Sequence, residues 1–204
     1  MDKLKQDLYL IADQMRSIAN LGLQYSTNKF DTERYEQITE LSARLYAGIE
    51  GEDLSRISSV FKDHLNHISP LGGADAVIMK DDAMLLIKRH DDKLWATPGG
   101  LIEVGETPKE AAERELFEET NIKGTAKQLI GLFDSRLWNS KLKHHLYHYI
   151  FLVEADTSTM KTTDEALEIG FFTKDNLPDL SAGHDKRVPF IFDWMDNHKE
   201  AYCD

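Results

Sequence analysis

Residues 100–122 read GLIEVGETPKEAAERELFEETNI, and the fold turns on how this stretch is read. Thr107 is placed to cap a helix, Pro108 falls at the first helical position, and Glu110 stands three residues after the cap, so that together they form a capping box. The spacing predicts a helix over 107–120. Within it Glu115, Glu118 and Glu119 stand at i, i+3 and i+4, which sets three carboxylates on one face. Like charges at that spacing repel, so the arrangement gains only if a cation sits among them, and hard oxygen donors of this kind suit Mg²⁺ or Mn²⁺. Arg114 follows Glu106 closely enough for its guanidinium to clamp that carboxylate and fix the loop on the helix. Ahead of them, Pro98-Gly99-Gly100 lets the backbone approach a ligand or metal without side-chain obstruction. Asn121, just past the helix end, is one of the few residues besides glycine that readily takes a left-handed cap.

Outward from this helix the pattern is strand-like. Ala76 to Met79, a Lys80-Asp81-Asp82 turn and Met84 to Ile87 read as a hairpin, with further strands expected at Gln128 to Phe133, Leu146 to Glu154 and Glu168 to Phe172. A second helix is expected from Asp185 to His198. Strands enclosing a central helix, with another helix on the far side, predict an α+β sandwich. Pro70 and the Gly72-Gly73 pair mark a change of pattern, so a boundary is placed between residues 1–69 and 70–204. Before it the periodicity is helical. Leu4, Leu8, Ile11, Met15 and Ile18 form one stripe; Tyr35, Ile38, Leu41, Leu45 and Ile49 a second; Leu54, Ile57, Phe61, Leu65 and Ile68 a third. This small all-helical domain exposes more apolar face than three helices bury alone, so either it packs on the second domain as a bundle or it dimerises. The first stripe has coiled-coil-like spacing but is too short to establish a coiled coil.

The 204 residues carry a formal charge of -12, and no Lys/Arg run offsets it locally. That charge repels a phosphate backbone, which argues against long nucleic acids and against an RNA-processing role. A small anionic substrate fits, provided a divalent cation neutralises the carboxylates around it. The opening residues carry no signal-peptide pattern and no apolar run approaches a bilayer span, so a cytoplasmic protein is expected. The one cysteine, Cys203, has no partner for an intramolecular disulfide and reads as a bystander.

Gly100, Glu106, Arg114, Glu115, Leu116, Glu118, Glu119 and Ile122 resemble the Nudix box, G-x5-E-x7-R-E-U-x-E-E-x-G-U, with Asn121 standing where the pattern has glycine. The N-terminal segment, from Ile18-Ala19-Asn20-Leu21-Gly22 through Phe30 to Glu36, is similar to the helical N-terminal region of a bacterial Nudix subfamily that includes CDP-choline and ADP-ribose pyrophosphatases. The resemblance implies a Nudix α/β/α sandwich with a mixed sheet, a homodimer built partly from these helices, and metal-dependent hydrolysis of a nucleoside diphosphate linked to a second group X. The products would be a nucleoside monophosphate and a phosphorylated X, with CDP-choline or ADP-ribose as the expected substrate. Glu115, Glu118 and Glu119 are the expected metal ligands, joined by the backbone carbonyl of Gly100 or its neighbour Gly99. Glu106 and Arg114 support them.

A separate general base is expected at Glu165 or Glu168, in the acidic stretch before the last strand, and comparison with the subfamily favours Glu165. The alternatives are a nucleoside triphosphate pyrophosphohydrolase, which would release pyrophosphate, and a regulatory module that binds a nucleotide without cleaving it. Intact box carboxylates argue against the second. Trp95, Trp138 and Tyr147 could stack on a base but suit packing at least as well. His144, His145 and His148 read as a solvated loop or strand end rather than a metal site. Arg136, Lys141 and Lys143 lie in a loop that could hold a phosphate, though exposed basic residues usually hold none.

Overall fold

The computed structural model describes residues 3–66, 68–197 and 200–204. It divides into two compact units, Met1–Pro70 with Lys141–His145, and Leu71–Ser140 with Leu146–Asp204. The first is helical: α1 (Lys3–Tyr25), α2 (Lys29–Glu50) and α3 (Leu54–Asp63). Local chemistry sets the ends. The Asn28 side chain accepts the Asp31 N–H to open α2, Gly51 closes it in the left-handed region at φ 70°, and Asp53 caps α3 by accepting from Ser55 and Arg56. Tyr9, Ala12 and Ala19 of α1 and Ala43 and Ala47 of α2 are buried, and Ser42 donates to the Ala12 carbonyl at 2.7 Å. Tyr9, Tyr46 and Phe61 stack edge to face in sequence, with centroids 5.2 and 5.6 Å apart. Alanines line much of the α1–α2 seam, beside Tyr9. Leu4, Ile11 and Ile18 of the first apolar stripe are 68%, 45% and 60% exposed. Lys143, from the expected phosphate-holding loop, is instead ion-paired with Glu50 in this helical unit.

The second unit contains β1 (Leu71–Val77), β2 (Met79–Lys80), β3 (Ala83–Arg89), β4 (Trp95–Ala96), β5 (Gly99–Leu101), α4 (Pro108–Thr120), β6 (Gly124–Asp134), β7 (Leu146–Ala155), β8 (Ala166–Thr173), α5 (His184–Asn197) and β9 (Tyr202–Cys203). One mixed sheet runs β5-β1-β7-β6-β9, with β1 parallel to β7; in the second, β3 pairs with β2, β4 and β8. This is the expected α+β class with a mixed sheet. Residues alternate between two cores as the strand period requires. Ala74, Ala76, Ile78 and Leu85 pack with Ala111, Ala112 and Leu116 of α4, whereas Val77, Met84 and Leu86 pack with Val188, Ile191 and Phe192 of α5.

The hairpin is narrower than the apolar run suggests. Only Met79 and Lys80 pair back on β3, around a turn in which Asp81 and Asp82 both have positive φ. Residues 71–77 belong to the other sheet, because a strand buried on both faces is continuously apolar up to the point where the chain changes sheet, and such a run carries no mark of that change. The last helix spans His184–Asn197; His198, its expected end, lies outside the described residues. The short strands β4, β5 and β9 have no periodicity of their own to announce them.

Candidate active site

The α4 helix begins as its sequence dictates. Thr107 accepts the Glu110 N–H while the Glu110 carboxylate accepts the Thr107 N–H, so two otherwise orphaned donors are satisfied reciprocally. It ends at Asn121, which is left-handed at φ 59° and donates its backbone N–H to the Phe117 carbonyl. These two caps fix the helix length and therefore the direction of its acidic face.

Arg114 is the hub of that face. Its Nε donates to Glu106 at 2.6 Å, its Nη1 to Glu115 at 2.9 Å and Glu118 at 2.8 Å, and its Nη2 to the Leu101 carbonyl at 3.0 Å. Glu106 in turn accepts the Glu103 N–H, so the loop is held to the helix at both ends. The Arg114 proton is bound more tightly than usual, chiefly through Glu106, and Glu106 is held below its ordinary value by the same contact.

Three carboxylates converge beside this hub: oxygens of Glu115, Glu118 and Glu165 all lie within 4.8 Å of one another. Glu165 reaches the group because β8 pairs antiparallel with β3, bringing Ala166 opposite Arg89 and leaving the residue before it at the mouth of the site. Glu168 is engaged elsewhere, in an ion pair with Lys88 at 2.7 Å. Glu119, one residue along the same helix face, accepts the Gly99 N–H at 2.9 Å. Burial raises the pKa of Glu119 to about 8; the Gly99 N–H opposes that shift, and the like charges of Glu115 and Asp75 add to it. Burial also raises Glu115, against the pull of Arg114. Anions penalised in this way and crowded by their own kind are what a hard cation relieves, so the residues present fit Mg²⁺ or Mn²⁺.

The two glycines do different things. A Cβ on Gly100 would collide with the Glu115 carboxylate, so this position must be bare for the helix to approach. Gly100 pairs with Ala74 between the ladder bonds Ala76 N–H to Pro98 and Ile102 N–H to Gly72, a register that turns its own peptide groups toward β1. Gly99, one residue out of that phase, turns its N–H and carbonyl toward α4.

Other sequence candidates are occupied in packing. Trp95 stands edge-on to Phe172 at 4.6 Å. Trp138 packs on Phe133 and Phe190 and donates its Nε1 to Asp204, and Arg136 is tied to Asp134. His148 departs from the expected solvated setting: it is buried on β7, 3.5 Å from Asp75, because β7 is a central strand covered on both faces. Asp75, His184 and Arg187, buried with it, went unremarked in the sequence, where the one available signal was an aspartate in the apolar strand Leu71–Val77.

An acidic helix face pinned by arginine, behind a glycine-lined strand, recurs in proteins of known kind. Residues 70–193 match the family described as the NUDIX domain, and residues 6–61 match the UDP-X-like, N-terminal oligomerisation domain. The chain belongs to the Nudix hydrolase family, with a UDP-X-like N-terminal domain. It is similar to the Bacillus subtilis protein YjhB, 28% identical over 187 residues and covering 90% of each chain. It is also similar to the ADP-ribose pyrophosphatase of Methanocaldococcus jannaschii, 33% identical over 136 residues, 65% of this chain and 79% of that one. Among solved structures it resembles a UDP-X diphosphatase at 25% identity and a TM-score of 0.62, covering 98% of this chain and 99% of the other. No described helix is long and apolar enough to cross a membrane.

Proposed function

We propose that this enzyme hydrolyses the diphosphate of a nucleoside diphosphate linked to a second group X, releasing a nucleoside monophosphate and a phosphorylated X, and that it does so with Mg²⁺ or Mn²⁺. The observation that carries this reading is the convergence of Glu115, Glu118 and Glu165 beside the arginine-pinned helix face. Glu115, Glu118 and Glu119 would hold the cation, with a backbone carbonyl from the Gly99-Gly100 pair; the strand register favours Gly99. Bound there, a divalent cation would neutralise the diphosphate and lower the pKa of the attacking water. Glu165, exposed beside these carboxylates, would accept the proton of the attacking water. Arg114 and Glu106 hold the loop over residues 101–106 in place and touch no reacting atom.

The named activities of similar proteins support ADP-ribose and UDP-linked compounds as substrates, and the resemblance of the N-terminal segment adds CDP-choline. Residues 1–69 form the oligomerisation domain of a homodimer and 70–204 the catalytic domain; the uncovered Leu4, Ile11 and Ile18 stripe and the family match of residues 6–61 support that division. A small nucleotide derivative as substrate suits a cytoplasmic enzyme.

Ion-exchange separation of the reaction products, across ADP-ribose, UDP-sugars, CDP-choline and nucleoside triphosphates, tests this. Turnover of one diphosphate compound is expected, abolished by chelation, restored by Mg²⁺ or Mn²⁺ and reduced at least about a hundredfold in Glu119→Gln. Release of pyrophosphate from triphosphates alone would overturn the substrate class, and silence with both metals would point to a nucleotide-binding regulator.

A further inference from the structure

Behind Gly99, on the face of the sheet opposite α4, lies a charged cluster with no part in the reading above. Asp75 on β1 is 4% exposed and Arg187 on α5 is 3% exposed, with Arg187 Nη2 3.4 Å from Asp75 Oδ2. His184 Nε2 stands 3.1 Å from the same Arg187 nitrogen, and His148 Nδ1 3.5 Å from Asp75 Oδ1. Among the described residues, Arg187 Nε, His184 Nδ1 and Ser181 Oγ make no hydrogen bond. A buried charge pair with unsatisfied neighbours is a poor stabilising device, since apolar side chains of like volume do as well or better. Its geometry indicates another use.

Asp75 is fastened to the turn that carries Gly99. It pairs with Gly99 across the two strands, accepts the Thr97 hydroxyl at 3.3 Å, and leans so close that a Cβ on Gly99 would stand 2.5 Å from its Oδ1. The next residue, Ala76, donates its N–H to Pro98 at 2.8 Å. Residues 97–99 are therefore held to β1 at three successive positions, and the Gly99 N–H that emerges from this grip is the donor to Glu119. Removing Arg187 would leave the Asp75 carboxylate buried without its main counter-charge, and the turn would shift with it.

We propose that Arg187, acting through Asp75 and the Gly99 backbone, is a positioning residue that aims the Glu119 carboxylate and thereby sets cation affinity and turnover at the α4 face. This rests on Glu119 being a cation ligand, as proposed above. Arg187 and Asp75 act only through Gly99, and the link passes through the sheet at the residue that has no side chain to interrupt it.

The test uses the full chain and two readouts: Mn²⁺ binding, followed by loss of the free-ion electron paramagnetic resonance signal, and kcat and KM on the diphosphate substrate that the wild type turns over. Arg187→Met, Arg187→Lys and the milder Thr97→Val are compared with Ile191→Val, a packing change one turn along α5. Arg187→Met is expected to weaken Mn²⁺ binding and lower kcat by about 10- to 100-fold each, as loss of a group that orients a ligand does. KM should move less than about threefold, Arg187→Lys should recover part of the loss, and Ile191→Val should match wild type. Should the Arg187 variants fail to fold, Thr97→Val decides, with a smaller shift in the same direction expected. Folded Arg187→Met or Thr97→Val with wild-type Mn²⁺ affinity and kcat would overturn the inference, as would an equal loss in Ile191→Val. Absence of Mn²⁺ binding by the wild type would overturn the metal reading and the inference with it, whereas tight wild-type binding unaffected by the variants overturns the inference alone.

Discussion

Two glutamates three residues apart, Glu165 and Glu168, look alike in composition and differ in company. Glu168 spends its charge on Lys88 along the strand pair, while Glu165 joins Glu115 and Glu118 within 4.8 Å. With Glu165 as the proton acceptor, Glu165→Gln is expected to lower kcat by about a hundredfold or more, the usual contribution of a positioned base. Glu168→Gln should stay near wild type in the same steady-state assay, and a larger loss in Glu168→Gln would reverse the assignment. Asn121 makes a second residue-scale case. Its left-handed backbone costs a side chain with a Cβ about 1 kcal/mol unless local hydrogen bonding offsets it, and Asn121 donates its Nδ2 to the Thr159 carbonyl at 3.0 Å. Urea unfolding of Asn121→Ala should show a loss of about 1 kcal/mol, and Asn121→Gly a smaller one, since glycine keeps the conformation and forfeits only the side-chain bond.

At the scale of the element, α1 shows two apolar faces where periodicity suggests one. Tyr9, Ala12 and Ala19 meet α2, and small residues there let the helices approach; Leu4, Ile11 and Ile18, spaced by seven, remain exposed on another side. In the homodimer proposed above, a second copy of the chain would cover these three large side chains. Ile11→Asp combined with Ile18→Asp is expected to convert a dimer to a monomer by light scattering after size exclusion, with helical circular dichroism retained. A wild-type monomer, or a variant that stays dimeric, would remove this stripe from the interface. In α4 the sequence was legible almost residue by residue, because capping and the i, i+3, i+4 face are local properties that packing only had to accept.

For the molecule as a whole, the buried pair of Asp75 and Arg187 joins β1 to α5 across the sheet and couples folding to pH. Burial alone would raise the Asp75 pKa, but Arg187 and then His148 outweigh it and hold the carboxyl below its usual range. A carboxyl depressed in the folded state contributes stability above its unfolded value, near 4, and loses that contribution as pH falls through the folded value. The unfolding free energy of wild type should therefore exceed that of Asp75→Asn by about 3 kcal/mol at neutral pH, the scale for breaking a buried ion pair, and the gap should narrow below about pH 4. A gap independent of pH down to acid unfolding would show that the Asp75 charge plays no part. His184, kept neutral by burial and by Arg187, adds a separate acid-side loss that begins below its unfolded value near 6.5.

By itself the sequence determined what depends on near neighbours: the capped acidic helix, the Arg114–Glu106 clamp, the left-handed Asn121 and the α+β class, all set by spacings of a few residues. The tertiary structure alone decided what depends on which strand lies beside which. The pairing of β8 with β3 brings Glu165, and not Glu168, to the helix; the change of sheet after Val77 splits an apolar run that reads as one strand. The parallel neighbours β1 and β7, with α5 packed over them, gather Asp75, His148, His184 and Arg187 from three distant segments. Contacts of long sequence separation leave no periodic trace, because the partner that satisfies a buried charge can come from any part of the chain.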